Sequence, residues 1–169
     1  MKINKVWAMP SRWTFTIKPI KELLAEEVIS GQRWIAPFAG QNSPAFFTND
    51  INPEANAEHH EDALAWLKSF SDEDNIDGAL FDPPYSPTQA KRCYDALKLK
   101  LLPSQTRKEY WARCLDELAR VIKPGGKLIC FGWNSNGAGK NRGFRMDKIL
   151  LVAHGGGRND TIVTVETKL

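Results

Sequence analysis

Short apolar runs alternate along this chain with stretches in which apolar residues recur every three or four positions, and each pattern implies a different element. Ile17, Ile20, Leu23, Leu24 and Val28 share one face of a helix that stops before Gly31. The runs "RWIAPFAG" and "AFFTND" follow as strands, the first passing into a glycine-containing turn. Ala63, Trp66, Leu67 and Phe70 repeat amphipathic helical spacing with "SDEDN" as a polar exit, and "IDGALF" is a third strand ending at Asp82. Beyond it, Ala90, Cys93, Tyr94 and Leu97 line up as a helical face, and Pro103 and Ser104 interrupt the pattern. Trp111, Cys114, Leu115, Leu118 and Ile122 mark a longer helix closed by "KPGG". "KLICFG" is a wholly apolar strand, while "ILLVAH" and "TIVTVET", joined by "GGGRND", read as a hairpin at an antiparallel edge of the sheet. Strands and helices in this alternation predict an α/β layered domain with a mostly parallel sheet.

Composition narrows the picture little. With 169 residues, 42% of them hydrophobic, the chain is expected to form one domain spanning 1–169 with a sizeable core. A net charge of +3 is too small to announce a nucleic-acid binder, so basic character has to be judged locally. Cys93, Cys114 and Cys130 are widely spaced in apolar surroundings, which fits buried thiols in a reducing compartment and gives no metal cluster. No run approaches the roughly 20 apolar residues that cross a bilayer, and "MKINKVWAMPSRW" lacks the core of a secretory signal, so a cytoplasmic location without membrane contact is expected. His59 and His60 are adjacent and His154 lies in an apolar run; none is assigned a catalytic or metal role.

The chemistry concentrates at "LFDPPY". Proline fixes its own φ and lacks an N–H, so a strand running into Asp82-Pro83-Pro84-Tyr85 ends in a rigid, extended shelf. At the carboxyl edge of an open sheet, where ligands bind, the Asp82 carboxylate and the Pro83 carbonyl are two acceptors for an exocyclic amine, and Tyr85 is a ring for stacking.

These residues resemble the signature of the amino-methyltransferases, which move a methyl from S-adenosylmethionine to adenine N6 or cytosine N4. Upstream, "APFAG" is similar to that family's cofactor loop, "SRWTFTIKPI" to the segment preceding it, "TNDINPEA" to its ribose-binding acid and "EDALAWLKSF" to its next acidic turn. The likeness spans most of the chain and extends, through "FGWNSNG" and "LLVAHGGGRNDTI", to small methylases of phages and prophages. It implies a Rossmann-like class I methyltransferase fold, S-adenosylmethionine as cofactor and adenine-N6 methylation of DNA. It also implies roles: Asp82, Pro83, Pro84 and Tyr85 as the catalytic shelf, and Phe15, Pro37, Phe38, Ala39, Gly40, Asp50, Ile51, Asp62 and Ala63 as the cofactor site. Cytosine N4, RNA adenine, or a non-catalytic cofactor-binding subunit are the alternatives.

The chain departs from that pattern in two ways. Only ten positions separate Gly40 from Asp50 and Pro44 interrupts them, so the first crossover helix should be shortened or missing. No stretch is left over for a target-recognition domain, which confines DNA contacts to loops: "SPTQAKR" with Lys91 and Arg92, "KLKLLPSQTRK", and "NSNGAGKNRGFR" with Lys140, Arg142 and Arg145. A homodimer or a separate recognition partner would supply the rest.

Overall fold

The computed structural model describes residues 1–96 and 108–169; Leu97, Pro103, Ser104 and most of "KLKLLPSQTRK" lie outside them. Strands β1 (Lys2–Trp7), β2 (Trp34–Ala36), β3 (Phe47–Thr48), β4 (Ile76–Phe81), β5 (Ile122–Gly132), β6 (Phe144–Ala153) and β7 (Thr161–Lys168) form one sheet in the order β1-β6-β7-β5-β4-β2-β3. Helices α1 (Lys18–Glu27), α2 (Ala63–Lys68), α3 (Pro87–Ala96) and α4 (Lys108–Val121) complete the described elements. Among the described residues, β7 alone runs against its neighbours; every other pairing is parallel.

The sheet separates two cores. On one face Ile20 and Leu24 of α1 pack with Trp34, Leu80, Ile129, Val152 and Val163; on the other, Leu67 of α2 and Cys114 and Leu118 of α4 pack on Ile35, Ala79 and Leu128. The apolar stripes predicted for α1, α2 and α4 therefore face the two cores, whereas on α3 Ala90 is buried and Cys93 is exposed. The close approach of β4 and β2 depends on Gly78, where a Cβ would lie 2.7 Å from the ring of the buried Trp34. Glu27, 4% exposed, locks the end of α1 to β5 and β6 through Lys127 and Lys148, each 2.5 Å away.

No helix occupies 37–46, and Phe46 N–H donates directly to the Trp34 carbonyl, so the expected loss of the first crossover helix holds. Three readings need correction. The N-terminal segment is a strand, β1, whose residues are all exposed; with one side unpaired and both faces wet it has no apolar alternation to detect. The hairpin does not make an antiparallel edge, because β7 inserts between β5 and β6. Ile122 belongs to β5 rather than to the helix, and "KPGG" forms an irregularity in that strand, where its pairing with β4 jumps from Ile122 to Lys127. No helix among the described residues is long and apolar enough to cross a membrane.

Candidate functional site

Because β2, β3, β4, β5 and β6 run the same way, the segments after them emerge at a single edge, and β1 delivers its own successor there too. Pro37 to Gly40, Asp50 and Ile51, and Asp82 to Tyr85 thus converge on one cavity of about 360 Å³. Phe15, Trp13 and Thr14 close it from the segment before α1, Ala63 from the start of α2, and Gln89, Cys93 and Tyr94 from α3.

Where the segment 37–40 meets the cavity, Gly40 adopts φ +52°, a conformation glycine accepts readily, and its N–H donates to Asp50 Oδ2 at 2.8 Å. Asn52 N–H donates to Asp50 Oδ1 at 2.9 Å. A carboxylate has about four lone-pair sites, so two amides leave capacity for further donors. The loops are clasped by Asn49, fully buried, whose amide donates to the Pro37 and Glu61 carbonyls (3.2 and 3.1 Å) while its Oδ1 accepts from Glu61 N–H at 2.9 Å. The aromatic wall here comes partly from α4: Trp111 packs edge-on against Phe38, with centroids 5.6 Å apart, and against Tyr110 at 4.9 Å.

Asp62 is engaged by its surroundings. Its Oδ1 accepts from Ala65 N–H at 3.0 Å as the N-cap of α2, and its Oδ2 accepts from the Tyr110 hydroxyl at 2.7 Å. That hydroxyl also accepts a long bond from Leu64 N–H (3.4 Å), so α4 pins the start of α2.

At the shelf, the Tyr85 hydroxyl donates to Asp82 Oδ1 at 2.5 Å and sits 3.5 Å from Thr14 Oγ1, while Tyr85 N–H donates to Gln89 Oε1 at 2.7 Å. The peptides here, as elsewhere in the described residues, are trans. Although part of its surface faces the cavity, protein surrounds the Asp82 carboxyl. That burial pushes its pKa up to about 6, against the opposing hydrogen bonds from Tyr85 and Thr14 and with a small push from Asp50. Burial and the facing Asp82 charge likewise raise the Tyr85 phenol, which stays protonated and donating.

Several lining residues were not assigned to a site from the sequence: Trp13, Thr14, Gln89, Tyr94, Tyr110, Trp111 and Thr161. Nothing local marks them as site residues, since they come from four separate segments that only the folded chain brings together. Cys93 is exposed and lines the cavity, contrary to the expectation of three buried thiols; Cys114 is buried and Cys130 half-buried. Among the described residues no group of His, Cys, Asp or Glu could hold a metal ion.

The basic candidates part company. Lys91 and Arg92 are exposed on α3, just after the shelf. Arg142 is spent inside the fold: Nε donates to Asp116 Oδ1 at 2.7 Å, and its two terminal nitrogens donate to the Ala138 and Ala112 carbonyls at 3.2 and 3.3 Å. Arg145, at the start of β6, and the turn carrying Lys140 just before it lie at the amino edge of the sheet, away from the cavity.

No protein-family model matches the chain, and no curated protein matches it. Solved structures do. The 1,6-didemethyltoxoflavin-N1-methyltransferase of Burkholderia thailandensis, bound to 1,6-didemethyltoxoflavin and S-adenosylhomocysteine, superposes with TM-score 0.57 at 11% identity, over 89% of this chain and 77% of that one. TrmN from Thermus thermophilus gives 0.56 at 17% identity over 90% of this chain, which spans 49% of that protein's length. A protein of Haemophilus influenzae described as a methylase gives 0.52 at 12% identity over 95% and 92%. The α/β architecture with one reversed strand is therefore the Rossmann-like fold that methyltransferases use.

Proposed function

We propose that the chain transfers a methyl group from S-adenosylmethionine to the N6 amine of adenine in DNA. The observation that carries this reading is the meeting, in one cavity, of the Asp82-Pro83-Pro84-Tyr85 shelf with the Gly40–Asp50 loop pair. The cavity's residues fit the cofactor. Asp50 retains acceptor capacity for a ribose diol, Gly40 permits close backbone approach, and the edge-to-face rings of Phe38, Tyr110 and Trp111 make an apolar corner suited to a purine. Asp50 and Asp82 also give the cavity a negative lining that favours a cation. S-adenosylmethionine supplies, when bound, an electrophilic methyl on a sulfonium centre.

The chain's own residues do the rest. Tyr85 offers a ring on which a base extruded from a stack, or already single-stranded, can lie. Asp82, ionised, accepts a hydrogen bond from the amine and orients its nitrogen lone pair; the proton lost on transfer passes to water. Orientation in a partly dry site accounts for most of the expected acceleration. In the free protein one Asp82 oxygen is already taken by the Tyr85 hydroxyl, so the amine either uses the other oxygen or displaces that bond.

Asp82→Ala is expected to abolish transfer of labelled methyl to DNA while leaving S-adenosylhomocysteine affinity, measured by calorimetry, unchanged. Normal turnover in that variant overturns the reading. Mass spectrometry of digested DNA and RNA products then separates adenine N6 from cytosine N4 and DNA from RNA.

A further inference from the structure

Of the six tryptophans, Trp34 and Trp66 are buried, Trp13 and Trp111 line the cavity, and Trp7 and Trp133 are exposed, at 64% and 41%. A single exposed indole is ordinary, but two at one edge beside a cavity offer a surface for flat ligands. Both stand at the carboxyl edge of the sheet. Trp133 directly follows β5, and its ring meets the Tyr85 ring at 71° with centroids 5.7 Å apart, forming a corner beside the shelf. Trp7 ends β1, opposite Ala153, and the exposed Met9 follows it.

Basic groups accompany these rings. The Arg12 guanidinium lies 4.5 Å from the centre of the Trp13 ring at the cavity wall, and the exposed Arg158 sits in the turn joining β6 to β7 at the same edge. The cofactor-loop side of the mouth is instead acidic, with exposed Glu54, Glu58 and Glu61. The edge is thus divided: one half suits a cationic ligand, and the other offers stacking rings with positive charge between them. The connection from β7 to this rim is tight. His154 hydrogen-bonds the Ala8 carbonyl at 2.9 Å and the hydroxyl of the cavity-lining Thr161 at 2.8 Å, so β1's exit, the β6–β7 turn and the cavity wall are held together.

We infer that the Trp133–Trp7 rim, with Arg12 and Arg158, is a platform for unpaired nucleotides flanking the target base, which makes single-stranded nucleic acid the preferred substrate. This rests on the proposed function and deepens it. β1 and β5 are three strand spacings apart, about 14 Å, a span of several nucleotides at the ~3.4 Å rise of a stacked strand. Stacking on indoles tolerates any base, because each has a π face, and the guanidiniums hold phosphates without reading sequence. A stacked duplex has no free base face to offer either ring. The rim thus selects strand state and leaves base identity to the shelf.

Fluorescence anisotropy of labelled single-stranded DNA, single-stranded RNA and a DNA hairpin duplex, with S-adenosylhomocysteine present, tests this on the full chain. The wild type should bind one of the single strands at least ~10-fold more tightly than the duplex. Trp133→Ala and Trp7→Ala should each weaken that binding about 10-fold, and Trp133→Phe should restore most of the loss, since a ring is what is needed. Arg158→Ala should lower the slope of log affinity against log salt by about one. S-adenosylhomocysteine affinity, read by calorimetry, should be unchanged in all variants, which separates loss of the rim from loss of the fold. Duplex binding as tight as single-strand binding, or Trp→Ala variants that bind like wild type, overturn the rim while methylation of DNA by the same protein leaves the proposed function standing. Absence of both binding and methylation with every nucleic acid overturns both.

Discussion

Asp82 shows how one residue's surroundings set its behaviour. With its pKa near 6, a value raised by burial, the ionised acceptor form appears only as pH passes that point. The kcat/KM profile for methyl transfer is therefore expected to rise with an apparent pKa of about 6. Its contribution to stability runs the other way: the folded chain holds this proton more tightly than the unfolded one, so that contribution is complete below the ordinary carboxylate range and is lost as pH rises through about 6. The Tyr85 hydroxyl opposes the shift by donating to the carboxylate. Tyr85→Phe keeps the ring and removes that donor, so the rising limb should move to higher pH; a limb that stays in place would show that the hydroxyl does not act on Asp82 in solution. The sequence reading assigned both residues to the shelf but had no means of seeing this bond, which depends on the rotamers that place the two side chains together.

Between elements, contact distance decides what is tolerated. The Trp34 ring lies flat across Gly78, with its Nε1 donating to Gln32 Oε1 at 2.9 Å, so it cannot easily swing aside. Gly78→Ala should force β2 from β4 and cost about 1–3 kcal/mol, the usual range for overfilling a packed core, read as a lower denaturant midpoint. Smaller Phe in place of Trp34 should recover part of that loss. The pattern that predicted the helices did well because burying a stripe is a local demand on spacing, and α1, α2 and α4 each present the expected stripe. β1 escaped it because its pairing with β6 rests on backbone hydrogen bonds that carry no side-chain signature. The reversed strand was legible but its place was not: a tight turn says that β6 and β7 pair, and says nothing of which flank of β6 receives β7.

At the scale of the whole molecule, Glu27 joins segments about a hundred residues apart, taking Lys127 on one oxygen and Lys148 on the other. Burial alone would raise its pKa, but these two ammonium groups outweigh that and hold it below the usual glutamate value. Its contribution is thus present at neutral pH and lost as the carboxylate protonates in acid. Since both lysines keep more than a third of their surface in water, Glu27→Ala should cost a modest amount, about 1–3 kcal/mol, with the difference from wild type shrinking toward low pH in denaturant titrations. By itself the sequence determined the alternating elements, the loss of the first crossover helix and the placing of "DPPY" at a strand end, since spacing, chain length and proline geometry are local. Only the tertiary structure decided that β7 lies inside the sheet, that α4 walls the cavity, that Arg142 is spent on the fold, and that Trp7 and Trp133 share an edge with the shelf. Those outcomes depend on which distant strands pair, and pairing is a property of the whole sheet that no stretch of sequence contains.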